Sequence, residues 1–299
     1  MNKSMIIGVI GDDLRQIYMT RYLIDKGYTV NLICSDNLDS KKDDIHHILG
    51  VLSPMLISSK DMYEFIDISD TIVTPIPFIK VNKMMNIEDF ILNISQKTNL
   101  DSFFLYGGQI DENISMQLKK ANIKYQDYYK SEALTIFNTI STAEGIIAEA
   151  IINKNTNIHN SNTLVLGYGN CAKTLANKLK GIGATVTIAA RNKNCLKVAE
   201  SVGYKIVDLH NLIMVINDYE YIFNTIPAPI LNENILQYVN PEAIILDIAS
   251  LPGGVNKEFA YNNKIKVIHK LGIPGIYSPK SSGIAIAEDL LNLITHKLT

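Results

Sequence analysis

Residues 162–191, NTLVLGYGNCAKTLANKLKGIGATVTIAAR, decide how this chain folds. A short apolar run, Thr163 to Leu166, stops at a glycine turn. A helical stretch follows, Gly183 closes it, and a run from Ala184 to Ala190 comes next. That order is strand, turn, helix, strand, the opening of a parallel α/β unit. The turn, Gly167-Tyr168-Gly169-Asn170-Cys171-Ala172, fits GxGxxA. In that pattern the first glycine makes the tight turn and the second lets the backbone approach a pyrophosphate. The alanine keeps the helix close to the strand, and the helix N-terminus offers free N–H groups to phosphates. The flanking strands and helix make this a dinucleotide site rather than a chance match.

A second stretch repeats the pattern 156 residues earlier. In MIIGVIGDDLRQIYMTRYLIDKGYTVNLICSD (5–36), Gly11, Gly27, Thr29 and Val30 stand where the later segment has Gly167, Gly183, Thr185 and Val186. Downstream, TIVTPIP (71–77) matches YIFNTIPAP (221–229), and FFLYGG (103–108) matches AIILDIASLPGG (243–254). The expected architecture is therefore two successive Rossmann-like parallel-sheet domains. The second one is dinucleotide-binding, because position 13, equivalent to Gly169, is Asp13, whose carboxylate would repel pyrophosphate. The boundaries expected are 1–140 for a substrate or partner domain and 141–280 for the dinucleotide domain. A linking helix at 142–152 is capped by Ser141 or Thr142 and followed by a polar linker, 153–162. Apolar spacing in 281–298 predicts a last helix, which packs back on the first domain.

Bulk composition agrees and excludes several classes. The 299 residues are 47% hydrophobic and 19% charged, with a net charge of −2. That is a globular composition with room for two cores. No apolar run is long enough for a membrane span, and the opening MNKSMIIGVIGDD lacks the features of a signal peptide. Cys34, Cys171 and Cys195 form no CxxC and suggest a reducing compartment, the cytoplasm. Basic residues are scattered, which argues against nucleic acid, and no His/Cys spacing suits a metal.

The end of the second strand sets the cofactor. NAD sites usually place an acid there for the ribose hydroxyl. This strand instead runs into Arg191 and Lys193 with no acid between, which favours the 2′-phosphate of NADP. Cys171, at a helix start, either has a lowered thiol pKa or is a small packing residue.

At these residues the chain resembles the dipicolinate synthase A-subunit family. The resemblance is carried by IGVIGDDLRQ (7–16), FNTISTAEGII (137–147), LVLGYGN (164–170), TVTIAAR (185–191), NTIPAPIL (224–231), ILDIASLPGGV (245–255) and LGIPGIYSPKSSG (271–283). It implies NADP-dependent oxidation of a dihydrodipicolinate-type ring to dipicolinate in the mother-cell cytoplasm of a sporulating bacterium. The implied partner is a flavoprotein-like B subunit. Two departures touch the substrate turn. The family's usual GGD is Gly11-Asp12-Asp13 here, and Ser141 stands where proline commonly precedes TxEG.

A pyridine dicarboxylate needs cations and a proton acceptor. Arg15 either forks onto one carboxylate or is a surface helix arginine, and Lys280, in what reads as a GIPGIYSPK loop, either pairs with the other or is a loop lysine. Asp12, Asp13 and Glu144 are candidate acceptors, and each also has a structural reading. The aspartates suit a self-bonded turn, and Glu144 suits a capping box with Ser141. Ser141 and Thr142 are placed at the substrate. Asn224, Thr225 and Pro227 are placed along the nicotinamide ribose, and Ser250, Pro252, Gly253 and Asp247 beside the nicotinamide, with Asp247 alternatively satisfying backbone donors. Gly272, Pro274 and Gly275 are expected to shape a loop around the carboxamide. Two other readings remain: a non-catalytic NADP-binding regulatory or assembly protein, and a shikimate-type or 2-hydroxy-acid dehydrogenase. The last would need a catalytic histidine, and His269 is the nearest to these loops.

Overall fold

The structure, a computed structural model, describes residues 5–50 and 53–298, with side chains through Thr295. Residues 1–4, part of the opening read above for a signal peptide, lie outside the described residues. Two compact units emerge, residues 1–137 with 278–299 and residues 138–277.

The first unit is a six-stranded, all-parallel sheet of β1 (Ile6–Gly11), β2 (Thr29–Cys34), β3 (Leu56–Ser58), β4 (Thr71–Val73), β5 (Phe104–Gly107) and β6 (Tyr125–Asp127). Its spatial order is β3-β2-β1-β4-β5-β6. The helices are α1 (Leu14–Asp25), α2 (Lys42–Leu49), α3 (Met62–Ile68), α4 (Ile87–Ser95) and α5 (Glu112–Lys120). The order reverses between β1 and β4. In open α/β sheets ligands bind outside the strand C-termini at such a reversal.

Helix α6 (Glu132–Asn153) leads from the first unit into the second. The second sheet comprises β7 (Asn162–Leu166), β8 (Thr185–Ala190), β9 (Lys205–Asp208), β10 (Tyr221–Asn224), β11 (Ile244–Asp247) and β12 (Lys266–His269). Its helices are α7 (Asn170–Gly181), α8 (Lys193–Ser201), α9 (Leu212–Val215), α10 (Glu233–Leu236), α11 (Lys257–Asn262) and α12 (Ile273–Tyr277). The order β12-β11-β10-β7-β8-β9 is the first unit's topology read from the opposite edge, with its reversal between β7 and β10. The central strands β1, β4, β7, β10 and β11 are buried on two faces and read as nearly continuous apolar runs rather than alternating ones.

The last helix, α13 (Pro279–Leu298), belongs to the first unit. Ile286, Ala287 and Leu290 are buried with Ile7, Val9, Ile17 and Leu23. Contact with α1 is close because residue 283 is glycine: a Cβ there would lie 2.2 Å from the Arg15 carbonyl oxygen. No helix among the described residues is long and apolar enough to cross a membrane.

Two local expectations are corrected. Helix α6 starts at Glu132 and not at 142, so Ser141 and Thr142 lie in its interior and neither caps it. The true start follows Ser131, whose carbonyl accepts the Thr135 N–H at 2.9 Å. The segment expected to be a GIPGIYSPK loop instead forms α12 and the first turn of α13.

Candidate functional site

The second unit's reversal point is built by glycines. β7 runs into Gly167 at φ +99°, where a Cβ would also meet the Thr225 hydroxyl oxygen at 2.5 Å. Only glycine is comfortable there. Thr225 closes the turn, its N–H and its hydroxyl both donating to the Leu166 carbonyl at 3.1 and 2.8 Å. Gly169 is the N-cap of α7 in extended backbone, and no side chain caps the helix. A Cβ at Gly169 would meet nothing within 4 Å. The first intrahelical bond is Lys173 N–H to the Gly169 carbonyl, so the N–H groups of Asn170, Cys171 and Ala172 precede the ladder. Ala172 is fully buried, the small residue that lets α7 sit against the sheet. Open space, unclaimed N–H donors and the positive helix end fit a pyrophosphate.

Tyr168 packs edge-on to Tyr204 with ring centroids 6.4 Å apart, and Lys173 Nζ lies over the Tyr168 ring. Burial pushes the Cys171 thiol up, opposite to the lowered value entertained for a helix start. Cys171 is therefore a packing residue rather than a reactive one.

At the end of β8, Arg191 is exposed, Asn192 caps α8 by accepting from the Asn194 and Cys195 N–H groups, and Lys193 is the helix's exposed first residue. A cavity of about 220 Å³ opens beside them, lined by Arg191, Leu209, His210, Leu212, Pro229 and Ile230. His210, not anticipated from sequence, is bonded through Nδ1 to Asp208 at 2.7 Å. Its position two residues after the end of β9 is the signal that marks it.

Asn224 and Asp247, expected along the cofactor, are both fully buried and bonded to each other at 2.8 Å. Asp247 also accepts from the Ala249 and Gly254 N–H groups, and Asn224 Oδ1 accepts from the Ile226 N–H. A Cβ at Gly254 would lie 2.2 Å from Asn224 Nδ2, so the loop is drawn tightly onto the pair. The pair thereby fastens two loops together, and Asp247 satisfies backbone donors as its alternative reading had it. Pro227, Ser250 and Pro252, on those loops, are exposed; Gly253 is buried at φ +89°. His269 is brought to the same loop, its Nε2 on the Ala249 carbonyl at 3.1 Å and its Nδ1 at 2.6 Å from Lys257. A carbonyl only accepts, so Nε2 carries the proton and Nδ1 accepts from the ammonium. Among the described residues no carboxylate is hydrogen-bonded to this histidine, unlike the pairing the 2-hydroxy-acid dehydrogenase reading needs. Pro274 and Gly275 are half-buried on α12, and Gly272 precedes it at φ +66°.

The first unit's reversal point is ionic. Asp13 is the N-cap of α1 and forms a reciprocal capping box with Gln16. Its carboxylate also accepts from Arg15 Nε at 2.9 Å and Nη2 at 2.6 Å. The Arg15 fork is thus engaged by Asp13 within the chain, and Arg15 is 7% exposed, so it is not a surface helix arginine. Burial opposes ionisation of Asp13, but Arg15 more than offsets it and holds the carboxyl below its ordinary range, which is wrong for a base working near neutrality. Asp12 is buried and accepts at Oδ1 from Ser35 (3.0 Å), Asn37 (2.9 Å) and Lys83 (2.9 Å). Lys80 Nζ lies 2.7 Å from its Oδ2. Burial again opposes ionisation, and the two lysines outweigh it.

The remaining candidates are dispersed. Ser141 is buried inside α6, and the Thr142 hydroxyl donates to the Asn138 carbonyl at 2.7 Å. Glu144 pairs with Lys178 at 2.8 Å and makes no capping box with Ser141. Lys280 is exposed in the first turn of α13. Lys80 and Lys83 are residues that sequence reading missed. They follow the TIVTPIP run, and a period of three in FIKVNK (78–83) is the signal that could have found them.

Comparison with known proteins accords with this division. Residues 6–129 match the family model for the N-terminal domain of the dipicolinate synthase A subunit, and residues 147–270 match the model for shikimate / quinate 5-dehydrogenase. The second unit therefore carries a dehydrogenase-type nucleotide-binding fold, which implies a dinucleotide cofactor. The dipicolinate synthase A subunit of Bacillus subtilis is 30% identical over 302 residues, covering 98% of this chain and 97% of that protein. Its crystal structure superposes with a TM-score of 0.81 at 26% identity, over 99% of this chain and 97% of that one. The A-subunit structure from Bacillus halodurans gives 0.82 at 25% identity, over 98% of both chains. A transhydrogenase from Sinorhizobium meliloti shares the fold, with a TM-score of 0.68 at 12% identity over 98% of this chain and 94% of that one. With near end-to-end similarity to these proteins, the chain belongs to the dipicolinate synthase A-subunit family.

Proposed function

We propose that this chain oxidises a dihydrodipicolinate-type ring to dipicolinate with NADP, as the A subunit of a synthase whose flavoprotein-like B subunit is its partner. The observation that carries the cofactor reading is the second unit's reversal point. An uncapped α7 N-terminus faces open space at Gly169, and the next strand ends in Arg191 and Lys193 with no acid between them.

Bound NADP would supply the two-electron acceptor for the ring. The Asn170, Cys171 and Ala172 N–H groups would hold the pyrophosphate, and the glycines at 167 and 169 would let it approach. Arg191 forks onto the 2′-phosphate and Lys193 adds charge. Thr225 and Pro227 would hold the nicotinamide ribose, and Ser250, Pro252 and Gly253 the nicotinamide. Those loops keep their shape because Asn224 and Asp247 tie them together. Aromatisation removes a hydride and a proton from the ring, and the proton leaves through a group of the substrate site. The place of this chemistry is the cytoplasm of the mother cell.

A second reading, a non-catalytic NADP-binding protein, is favoured by one observation: Asp13 and Glu144 are both engaged in ion pairs within the chain. One experiment separates the two. Purified chain is incubated with NADP and freshly generated dihydrodipicolinate precursor, with and without a candidate B subunit. NADPH and dipicolinate appearing together in equal amounts support the dehydrogenase reading. NADP binding without turnover in any combination contradicts it and favours the second.

A further inference from the structure

We propose that the carboxyl edge of the first unit's sheet, between β1 and β4, is a binding site for a small carboxylate, with Lys80 and Lys83 as its cations. The inference rests on the dicarboxylate reading above and names the groups that recognise the carboxylate.

Four observations converge. The edge is the place where the strand order reverses, and Asp12 follows β1 while Lys80 and Lys83 follow β4. Residues Phe78–Lys83 form a 3-10 turn, in which side chains three apart project from one face. Phe78 and Val81 are buried and anchor the turn to the core, which leaves Lys80 and Lys83 as a matched pair. Both ammonium groups are drawn to one buried carboxylate, Asp12: Lys83 donates to Oδ1 at 2.9 Å, and Lys80 lies in ionic contact with Oδ2 at 2.7 Å. An ammonium has three donors, so each keeps donors that Asp12 does not use, and their side chains are 25% and 41% exposed.

Charge points the same way. Arg15, Lys80 and Lys83 meet only Asp12 and Asp13 here, so a positive charge is left over in a protein whose net charge is −2. A fold needing only to neutralise Asp12 needs one lysine; the second makes the cluster an anion receptor. Arg15 is not the receptor, because Asp13 already holds its fork. Nearby, Thr74, the residue after β4, has a buried hydroxyl with no hydrogen-bond partner among the described residues.

The test is isothermal titration of the full chain with pyridine-2,6-dicarboxylate and, separately, with glutarate. Wild type is compared with Lys80→Met, Lys83→Met and the double variant, and NADPH binding is measured alongside to report folding. We expect wild type to bind both dicarboxylates. Each single variant should weaken them by roughly tenfold or more, the double variant should lose them, and NADPH binding should not change. Glutarate binding that depends on the lysines, without pyridine-dicarboxylate binding, keeps the site and removes the proposed substrate. Pyridine-dicarboxylate binding unchanged in the variants overturns the site and leaves the substrate reading standing. No dicarboxylate binding by wild type overturns the site. A variant that loses both ligand classes is replaced by Lys80→Gln or Lys83→Gln, read by the same criteria.

Discussion

Asp13 and Gly169 occupy one position in two units of the same topology, each as the N-cap of the helix that follows the first strand. Asp13 fills its helix end with a carboxylate that accepts from the Arg15 N–H and is boxed by Gln16. Gly169 leaves its helix end bare. One helix terminus is internally satisfied and the other is ready for an anion.

Asp13→Asn should keep the cap but remove the charge facing Arg15, whose side chain is 8% exposed. Leaving that guanidinium without a counter-charge should cost about 3 kcal/mol at neutral pH. Asp13 is held below its ordinary value of 3.8, so its contribution is present above that value and is lost as pH falls through the depressed one. The stability gap between wild type and variant should therefore shrink on acidification. Urea unfolding at stepped pH checks this, and a gap independent of pH would refute the ion-pair account.

Gly145 is a packing glycine within the second unit. A Cβ there would lie 2.3 Å from Ile273 Cγ2 and 2.8 Å from Tyr277 Cδ2, so Gly145→Ala must push α12 away from α6. We expect about 1–3 kcal/mol of destabilisation, although alanine is the better helix former. A thermal melt that is unchanged or raised would contradict the close approach.

Arg191→Ala should change which coenzyme binds. Removing charge-assisted bonds to a 2′-phosphate should weaken NADPH by about 1.5–3 kcal/mol and leave NADH nearly untouched. Fluorescence titration with both coenzymes reads the ratio. Equal losses for the two would place Arg191 elsewhere on the cofactor, and no loss would remove it from the site.

Much of the fold is legible in the sequence because its signals are local. The glycine turn at 167 is fixed by backbone sterics, and the central strand runs are fixed by burial on both faces. The start of α6 is misplaced by sequence reading because Ser141 and Thr142 imitate a cap inside a stretch that is already helical from Glu132. The α12 segment reads as a loop because Pro274 and Gly275 are turn residues in isolation, yet packing of Ile273 into the second core holds it helical. The site is harder. Arg15, Asp13 and Asp247 have the right chemistry for ligands, but each is bonded within the chain, a fact that depends on partners and distances. Lys80 and Lys83 meet Asp12 across about seventy residues, which no local pattern announces.

Gly169→Asp tests the central claim most directly. The backbone is extended, a Cβ meets nothing within 4 Å, and aspartate is a favoured N-cap, so the variant should fold with unchanged or slightly raised stability. Its carboxylate would occupy the helix end that the pyrophosphate needs. Titration with NADPH, with a thermal melt alongside, should show saturable binding in wild type and none in the folded variant. Undiminished NADPH binding by a stably folded Gly169→Asp chain would show that the dinucleotide does not sit on α7.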